Sequence, residues 1–409
     1  MTAPLQKAIS RGATAPWCRV LVVDHGIGLW GAQIYLLRLA PLLAERGVEQ
    51  VLAAPAGSEL ARAWRDGGWT HVPIAVAADR ALRGPRSVET PFRVMREAAR
   101  NFDGARQIAR AVREVDADVL HANSHGWSYT EVVAASRLAR RPAVVHLHLE
   151  LESSLLGGVW GRAMLRADAI VAVSRAVART LPRRGGAPIR VVPNGVDPAE
   201  FAPAPPDPST RAELTADPSA PVVLVLARLD PRKGIEDVMR AVAALPPPLA
   251  GTALAVAGAS SDPPDPGYEA HLWRVGRELL GDRVRLLGQR RDATALIRAA
   301  DVVALASRSE GFGLCILEAQ ACGVPPVAYP AGGVAELISH GIDGLLARQG
   351  DIDDLSVQLS LVLGDPALGA RLGSAARQRV VAGRTLEQQA DAQVDVLRTV
   401  LLTSAPVWP

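Results

Sequence analysis

From Arg19 onward, short apolar runs alternate with amphipathic stretches of helical length: Val20–Val23, then Ile34–Arg46, then Val51–Ala54. That alternation confines the chain to an α/β fold. Further runs at Val72–Val76, Val119–Ala122, Val144–Leu147, Ala169–Val173 and Ile189–Val192 are each apolar stretches punctuated by Gly, Pro or a polar turn. The sheet is therefore expected to be parallel. Pro205, Pro206, Pro208 and Pro218 then interrupt any regular element, which predicts a linker over 203–220. The alternation resumes at Val222–Leu226, Ala253–Val256, Val284–Leu287, Val302–Leu305 and Val327–Tyr329, predicting a second doubly wound sheet. Such sheets bind ligands at the carboxyl ends of their strands, so two facing sheets are expected to enclose a cleft. The predicted division is a flexible N-terminus at 1–17, domains at 18–202 and 221–383, and a C-terminal helix and tail at 384–409 packing back on the first domain.

Several function classes are excluded by composition. With 49% apolar and 21% charged residues the chain is too hydrophobic for a disordered tail protein. Lys+Arg 45 against Asp+Glu 42 leaves only +3, so no overall field draws nucleic acid. No apolar run reaches the roughly 18 residues of a membrane span, and residues 1–17 lack the apolar block of a secretory signal. Cys18, Cys315 and Cys322 make neither a disulfide framework nor a C-x-x-C pair. A cytoplasmic chain without structural zinc is the expectation.

Three segments carry chemistry. The first is Gly26-Ile-Gly28-Leu-Trp-Gly31, which has the G-x-G-x-x-G spacing and runs into a helix. As a dinucleotide fingerprint it needs an acid at the end of the next strand, where Ala54-Pro55-Ala56 stands instead. An anion-binding turn and a plain tight turn remain open. The second is Ala227-Arg228-Leu-Asp-Pro-Arg-Lys233-Gly234, after the first strand of the second half. Arg228 offers a two-pronged grip and Lys233 a point charge, a combination suited to a diphosphate; a solvated turn is the plainer alternative. Only Lys7 and Lys233 among the 45 basic residues are lysine, which favours a specific need for an ammonium at Lys233.

The third is Glu310-Gly-Phe-Gly-Leu-Cys-Ile-Leu-Glu318. A helix beginning near Gly313 puts Glu310 in the preceding loop and Glu318 in the second turn. The two carboxylates can then accept from vicinal sugar hydroxyls, while N–H groups around Gly311, Phe312, Gly313 and Leu314 meet phosphate oxygens. A dipole-favoured acid plus a solvated mid-helix acid is the bland alternative for either residue alone.

Together these segments resemble glycosyltransferase family 4, retaining sugar transferases of GT-B architecture. The resemblance runs from Arg19 to Gly383 and also rests on Val-Pro-Asn194-Gly195-Val196-Asp197, Ala-Cys-Gly323-Val-Pro, Ala-Gly332-Gly333-Val-Ala-Glu336 and Gly341-Ile-Asp-Gly344. It implies a GT-B fold of two facing Rossmann-like domains with an interdomain cleft, the first on the acceptor side and the second binding a nucleotide sugar. Arg228 and Lys233 would hold the diphosphate, Glu310 the transferred sugar and Glu318 the ribose. Gly31 would touch the donor phosphate, although Trp30 stands where the family's first glycine is expected.

The family often places a histidine near the reacting centre, as the second His of an H-x-H. Here that position reads Asn123, within His121-Ala-Asn123-Ser-His125, and a second H-x-H, His146-Leu-His148, ends the next strand. His121 is the catalytic candidate, with Asn123, His125 and His148 on the acceptor side. Retaining enzymes of this type attack from the leaving-group face and let a donor phosphate oxygen take the proton. Neither a protein nucleophile, a metal nor a further cofactor is implied, only a nucleotide-diphosphate sugar, with uridine the expected base. Asp116-Ala-Asp118 has the D-x-D spacing of metal-dependent transferases but reads as a turn before a strand.

Between Arg80 and Arg113 nine arginines face only Glu89, Glu97 and Asp103, a local +6. That suits an anionic acceptor or peripheral contact with the acidic inner face of a membrane, and equally a solvated helix face. Two other classes stay in view: a non-catalytic sugar-nucleotide-binding protein, and a dinucleotide-dependent oxidoreductase.

Overall fold

The computed structural model describes residues 16–75, 91–123, 127–151, 161–182, 186–260 and 265–403. The chain divides into two units, Met1–Val192 with Gln389–Pro409 and Pro193–Gln388.

The first unit is built on β1 Cys18–Val23, β2 Val48–Ala54, β3 His71–Pro73, β4 Val119–Ala122, β5 Ala143–Leu147, β6 Ala169–Ala172 and β7 Ile189–Val191. Their order is β3-β2-β1-β4-β5-β6-β7, every pair parallel. All residues of β4, β5 and β6 are buried, which is why these strands read as unbroken apolar runs. The helix Gly31–Glu45 adds Leu36, Leu39 and Leu43 to the core. The last helix, Leu386–Thr403, adds Ala390, Val394, Leu397 and Val400 to the same cluster, so the chain's end returns to the first unit. Each fully buried side chain of Val or Leu size contributes roughly 1.5–3 kcal/mol, so the apolar face of this helix holds it in place.

The second unit carries β8 Val222–Leu226, β9 Ala253–Ala257, β10 Val284–Leu286, β11 Val302–Leu305, β12 Pro326–Ala328 and β13 Leu345–Leu346. Their order is β10-β9-β8-β11-β12-β13, again all parallel. The two-residue β13 has no periodic signal and is absent from the strands predicted above. No helix among the described residues is long and apolar enough to cross a membrane.

The prolines after residue 202 do not leave a structureless linker. Residues Pro208–Leu214 form a helix because Pro208 takes its first turn, where the missing N–H costs nothing, and the Asp207 carboxylate accepts from the Thr210 N–H at 2.9 Å. Three arginines then supply donors to carbonyls of the irregular chain around it. Arg211 reaches the Ala220 and Ala299 oxygens, Arg298 those of Glu200 and Ala202, and Arg377 those of Pro198, Phe201 and Ala321. The change of unit falls ahead of this segment, between Val192 and Pro193.

Candidate active site

In each sheet the chain winds outward one way from a central strand, then crosses back to build the other half. In the second unit the crossing point lies between β8 and β11. The loops leaving these two strands diverge, opening the crevice where α/β sheets bind ligands. Arg228 follows β8, and Ser307 to Glu310 follow β11.

Lys233 ends a short 3-10 turn, Pro231–Lys233, whose first free N–H, that of Arg232, donates to the Asp230 carboxylate at 2.9 Å. Gly234 then takes a left-handed conformation, φ 63°. This bends the loop back so that the Lys233 Nζ donates to Glu310 Oε2 at 2.5 Å, with the Ser307 hydroxyl on the same oxygen at 3.3 Å. The Arg308 N–H donates to the Arg232 carbonyl at 2.7 Å, so backbone as well as side chains joins the two loops. Burial holds the Arg228 guanidinium below its ordinary pKa, against the opposing influence of Asp230 and Glu310.

Gly313 caps the helix Leu314–Ala321, as the spacing predicts, and Glu318 lies in its second turn. The Glu310 carbonyl accepts from Gly333 N–H at 3.0 Å, and a Cβ on Gly333 would lie 2.4 Å from the Gly311 oxygen. The Gly332-Gly333 turn thereby packs backbone to backbone on the loop holding Gly311 and Phe312, both buried. Cys315 reports how close the charged groups come: burial pushes its thiol up to about 12, with Glu310 and Glu318 adding to the rise and Lys233 opposing it. Arg228, Lys233, Glu310 and Glu318 thus flank one helix N-terminus, the end of a helix whose dipole favours an anion.

In the first unit the corresponding crossing point lies between β1 and β4. Asp24, fully buried at the end of β1, accepts from the Gly26 N–H at 2.7 Å and from Gln33 Nε2 at 3.1 and 3.2 Å. Gln33 Oε1 in turn accepts from the Trp30 N–H at 3.3 Å, fixing the entry to the helix that Gly31 begins. Asn123 Nδ2 donates to Asp24 Oδ2 at 2.8 Å, and Asn123 Oδ1 lies 3.0 Å from His148 Nε2. Asp24 and Gln33 were not singled out from sequence. The acid directly after a strand and before the first glycine was the available signal.

His121, expected at the reacting centre, is instead 2% exposed. Its Nε2 lies 3.3 Å from His146 Nδ1, and His146 stacks on His148 with ring centroids 4.4 Å apart. Strand β4 is covered on both faces, so a side chain within it has no route to solvent. His125 lies outside the described residues. Asp116, at φ 49°, makes a turn, and Asp118 accepts from the Arg19 N–H at 2.9 Å. Strand β2 ends at Ala54, followed by Pro55 and Ala56, so the acid that a dinucleotide ribose needs is missing from that position.

The buried histidines are expected to make the first unit acid-sensitive. Burial lowers the His121 imidazole from its ordinary 6.5 to about 4, and His146 shifts the same way. Between those values the unfolded chain binds a proton that the folded chain excludes. Stability therefore is whole above about 6.5 and falls as pH drops toward 4, by about 3 kcal/mol for His121 alone. Urea midpoints across that range are expected to fall with pH, and His121→Gln to flatten the slope. An equal slope in both chains would refute this account.

Family models match both halves. "Glycosyltransferase Family 4" covers residues 30–200 and "Glycosyl transferases group 1" covers residues 207–379. The D-inositol 3-phosphate glycosyltransferase of Nocardia farcinica is 30% identical over 418 aligned residues, spanning 90% of this chain and 84% of that one. The chain belongs to glycosyltransferase family 4. The alpha-maltose-1-phosphate synthase of Mycobacterium tuberculosis is 30% identical over 71% of this chain and 84% of its own. A GDP-mannose-dependent monoacylated alpha-(1-6)-phosphatidylinositol monomannoside mannosyltransferase from Corynebacterium glutamicum is 32% identical over 51% of this chain and 55% of its own length. Among solved structures, Anabaena Alr3699/HepE in complex with UDP and glucose superposes with TM-score 0.77 at 24% identity, covering 93% of this chain and all of that one. Sucrose-phosphate synthase from Thermosynechococcus elongatus gives 0.74 at 21% identity over 94% of this chain and all of its own. The fold is that of GT-B enzymes, and this family 4 member is a glycosyltransferase that moves a sugar from a nucleotide sugar.

Proposed function

We propose that the enzyme transfers a hexosyl or N-acetylhexosaminyl group, with retention of configuration and without a metal, from a nucleotide-diphosphate sugar to a hydroxyl of a glycan, glycolipid or small natural product. The observation that carries this reading is the Lys233–Glu310 pair, which joins the loops after β8 and β11 beside Arg228 and the N-terminus of Leu314–Ala321. Lys233 has three N–H donors, so it can keep Glu310 and still meet a phosphate oxygen. Arg228 adds a guanidinium, and the N–H groups of residues 311–314 complete a cationic cradle for the departing diphosphate without calling on a metal. Glu310 then takes hydroxyls of the transferred sugar, and Glu318, a turn further on, the ribose. Negative charge grows on the diphosphate as the anomeric C–O bond breaks, and a phosphate oxygen receives the acceptor's proton.

The acceptor is proposed to meet the first unit, at Gly31, Asn123 and His148, with buried His121 supporting the ring stack from behind. The arginines at Arg100, Arg106, Arg110 and Arg113 favour an acceptor carrying a phosphate or other anion. The inositol phosphate in the name of the Nocardia relative is consistent with that preference. A thermal-shift panel of UDP-glucose, UDP-N-acetylglucosamine and GDP-mannose, paired with release of free sugar, tests the donor side. A UDP-sugar is expected to raise the melting temperature and to be hydrolysed slowly. Stabilisation with no turnover makes the chain a binder, and stabilisation by none of the three removes the donor site.

A further inference from the structure

Asn123 is fully buried, and both ends of its amide are engaged. The amide nitrogen donates to Asp24 Oδ2 at 2.8 Å, an oxygen that also accepts from Gln33 Nε2 at 3.1 Å. The Gly26 N–H and Gln33 Nε2 already converge on that carboxylate, so it presents lone pairs to Asn123 as well. Turning the amide over would set its carbonyl oxygen against a carboxylate in a dry interior, an unpaired contact of the costly kind. Asn123 Oδ1 must therefore point the other way, toward His148 Nε2 at 3.0 Å. An amide oxygen only accepts, so His148 carries a proton on Nε2. His148 is partly exposed at the end of β5, whereas His121 and His146 are buried. Rings of Tyr35 and His146 pack against it at 5.6 and 4.4 Å, which leaves its plane little freedom.

We propose that Asn123 is a positioning residue for sugar transfer: oriented by Asp24, it fixes the ring of His148 and holds the proton of that imidazole on Nε2. This rests on the acceptor-side placement of His148 proposed above. Asp24 and Gln33 belong to the same device, since the Trp30 N–H and Gly26 N–H tie it to the glycine turn.

The test uses the full chain labelled with 15N-histidine, with UDP-glucose as the donor probe. His148, assigned by loss of its signals in His148→Gln, is expected to show a directly bonded Nε2–H in the spectrum. Asn123→Leu is expected to erase that peak and to lower donor turnover about a hundredfold through misplacement of the ring. The melting-temperature shift given by UDP-glucose should stay at the value of the unsubstituted chain. Asp24→Asn and Asn123→Asp are each expected to lose turnover. The double exchange restores an amide opposite a carboxylate and an oxygen opposite His148, and should recover turnover to within about tenfold. A His148 without an Nε2–H, or an Asn123→Leu chain with unchanged turnover, overturns the relay. Absence of any UDP-glucose effect on the unsubstituted chain instead removes the donor reading, and the Nε2–H peak still decides the relay.

Discussion

Lys233→Ala is expected to lower kcat about a hundredfold or more, because removing one preorganised donor from developing charge typically costs about 3–4 kcal/mol. The substitution deletes the ammonium proposed to meet the diphosphate and also leaves Glu310 without the partner that holds it at 2.5 Å. Lys233→Arg is not a rescue, since a planar fork replaces a compact ammonium where the pair spans two loops. Glu310→Gln keeps the shape but removes the charge, and its effect should overlap with that of Lys233→Ala. In the double variant the losses are therefore expected to be well short of additive. Steady-state donor kinetics of the three variants check this. Turnover by Lys233→Ala within about threefold of the unsubstituted chain would separate this lysine from the leaving group, since an oxyanion-type donor is worth far more.

Gly234→Ala should be severely damaging to the second unit. The residue sits at φ 63°, where an L side chain is strained by roughly 1–2 kcal/mol. Beyond that, the new Cβ would lie 2.0 Å from the Ala306 carbonyl oxygen, which belongs to backbone just after β11 and cannot rotate away. Relief requires the loops after β8 and β11 to part, drawing Lys233 from Glu310. A loss of about 4 kcal/mol or more in urea unfolding, with donor stabilisation abolished, is expected. Gly341→Ala is the control: its φ of 78° is equally left-handed, yet nothing lies within 4 Å of the new Cβ. It should lose only the conformational part, roughly 1–2 kcal/mol, and keep the donor site. Equal losses in the two variants would show that the Ala306 contact carries no weight.

Much of this design is legible in the chain because burial and chemistry are written locally. Val222–Leu226 reads as a strand by its length, its β-branched valines and the prolines before it, and Gly313 before Leu314–Ala321 marks a helix start that sets Glu310 and Glu318 on either side of it. Arg228 and Lys233 announce themselves as a guanidinium and a rare ammonium across one turn. The helix Pro208–Leu214 misleads for a local reason too. Four prolines suggest irregular chain, while a single Asp207 cap and Pro208 in the first turn suffice to start a helix.

What the sequence determined is therefore the part set by neighbours a few residues apart: two parallel sheets, the helix N-terminus and the charged residues leaving the strand ends. Tertiary structure alone decided which of these groups meet. Lys233 and Glu310 are 77 residues apart in the chain, and Asp24 and Asn123 are 99 apart. They become neighbours because β8 pairs with β11 and β1 with β4, an order that no local pattern encodes. The same holds for His121, which is catalytic-looking by motif but enclosed in β4, where residues on both faces are buried.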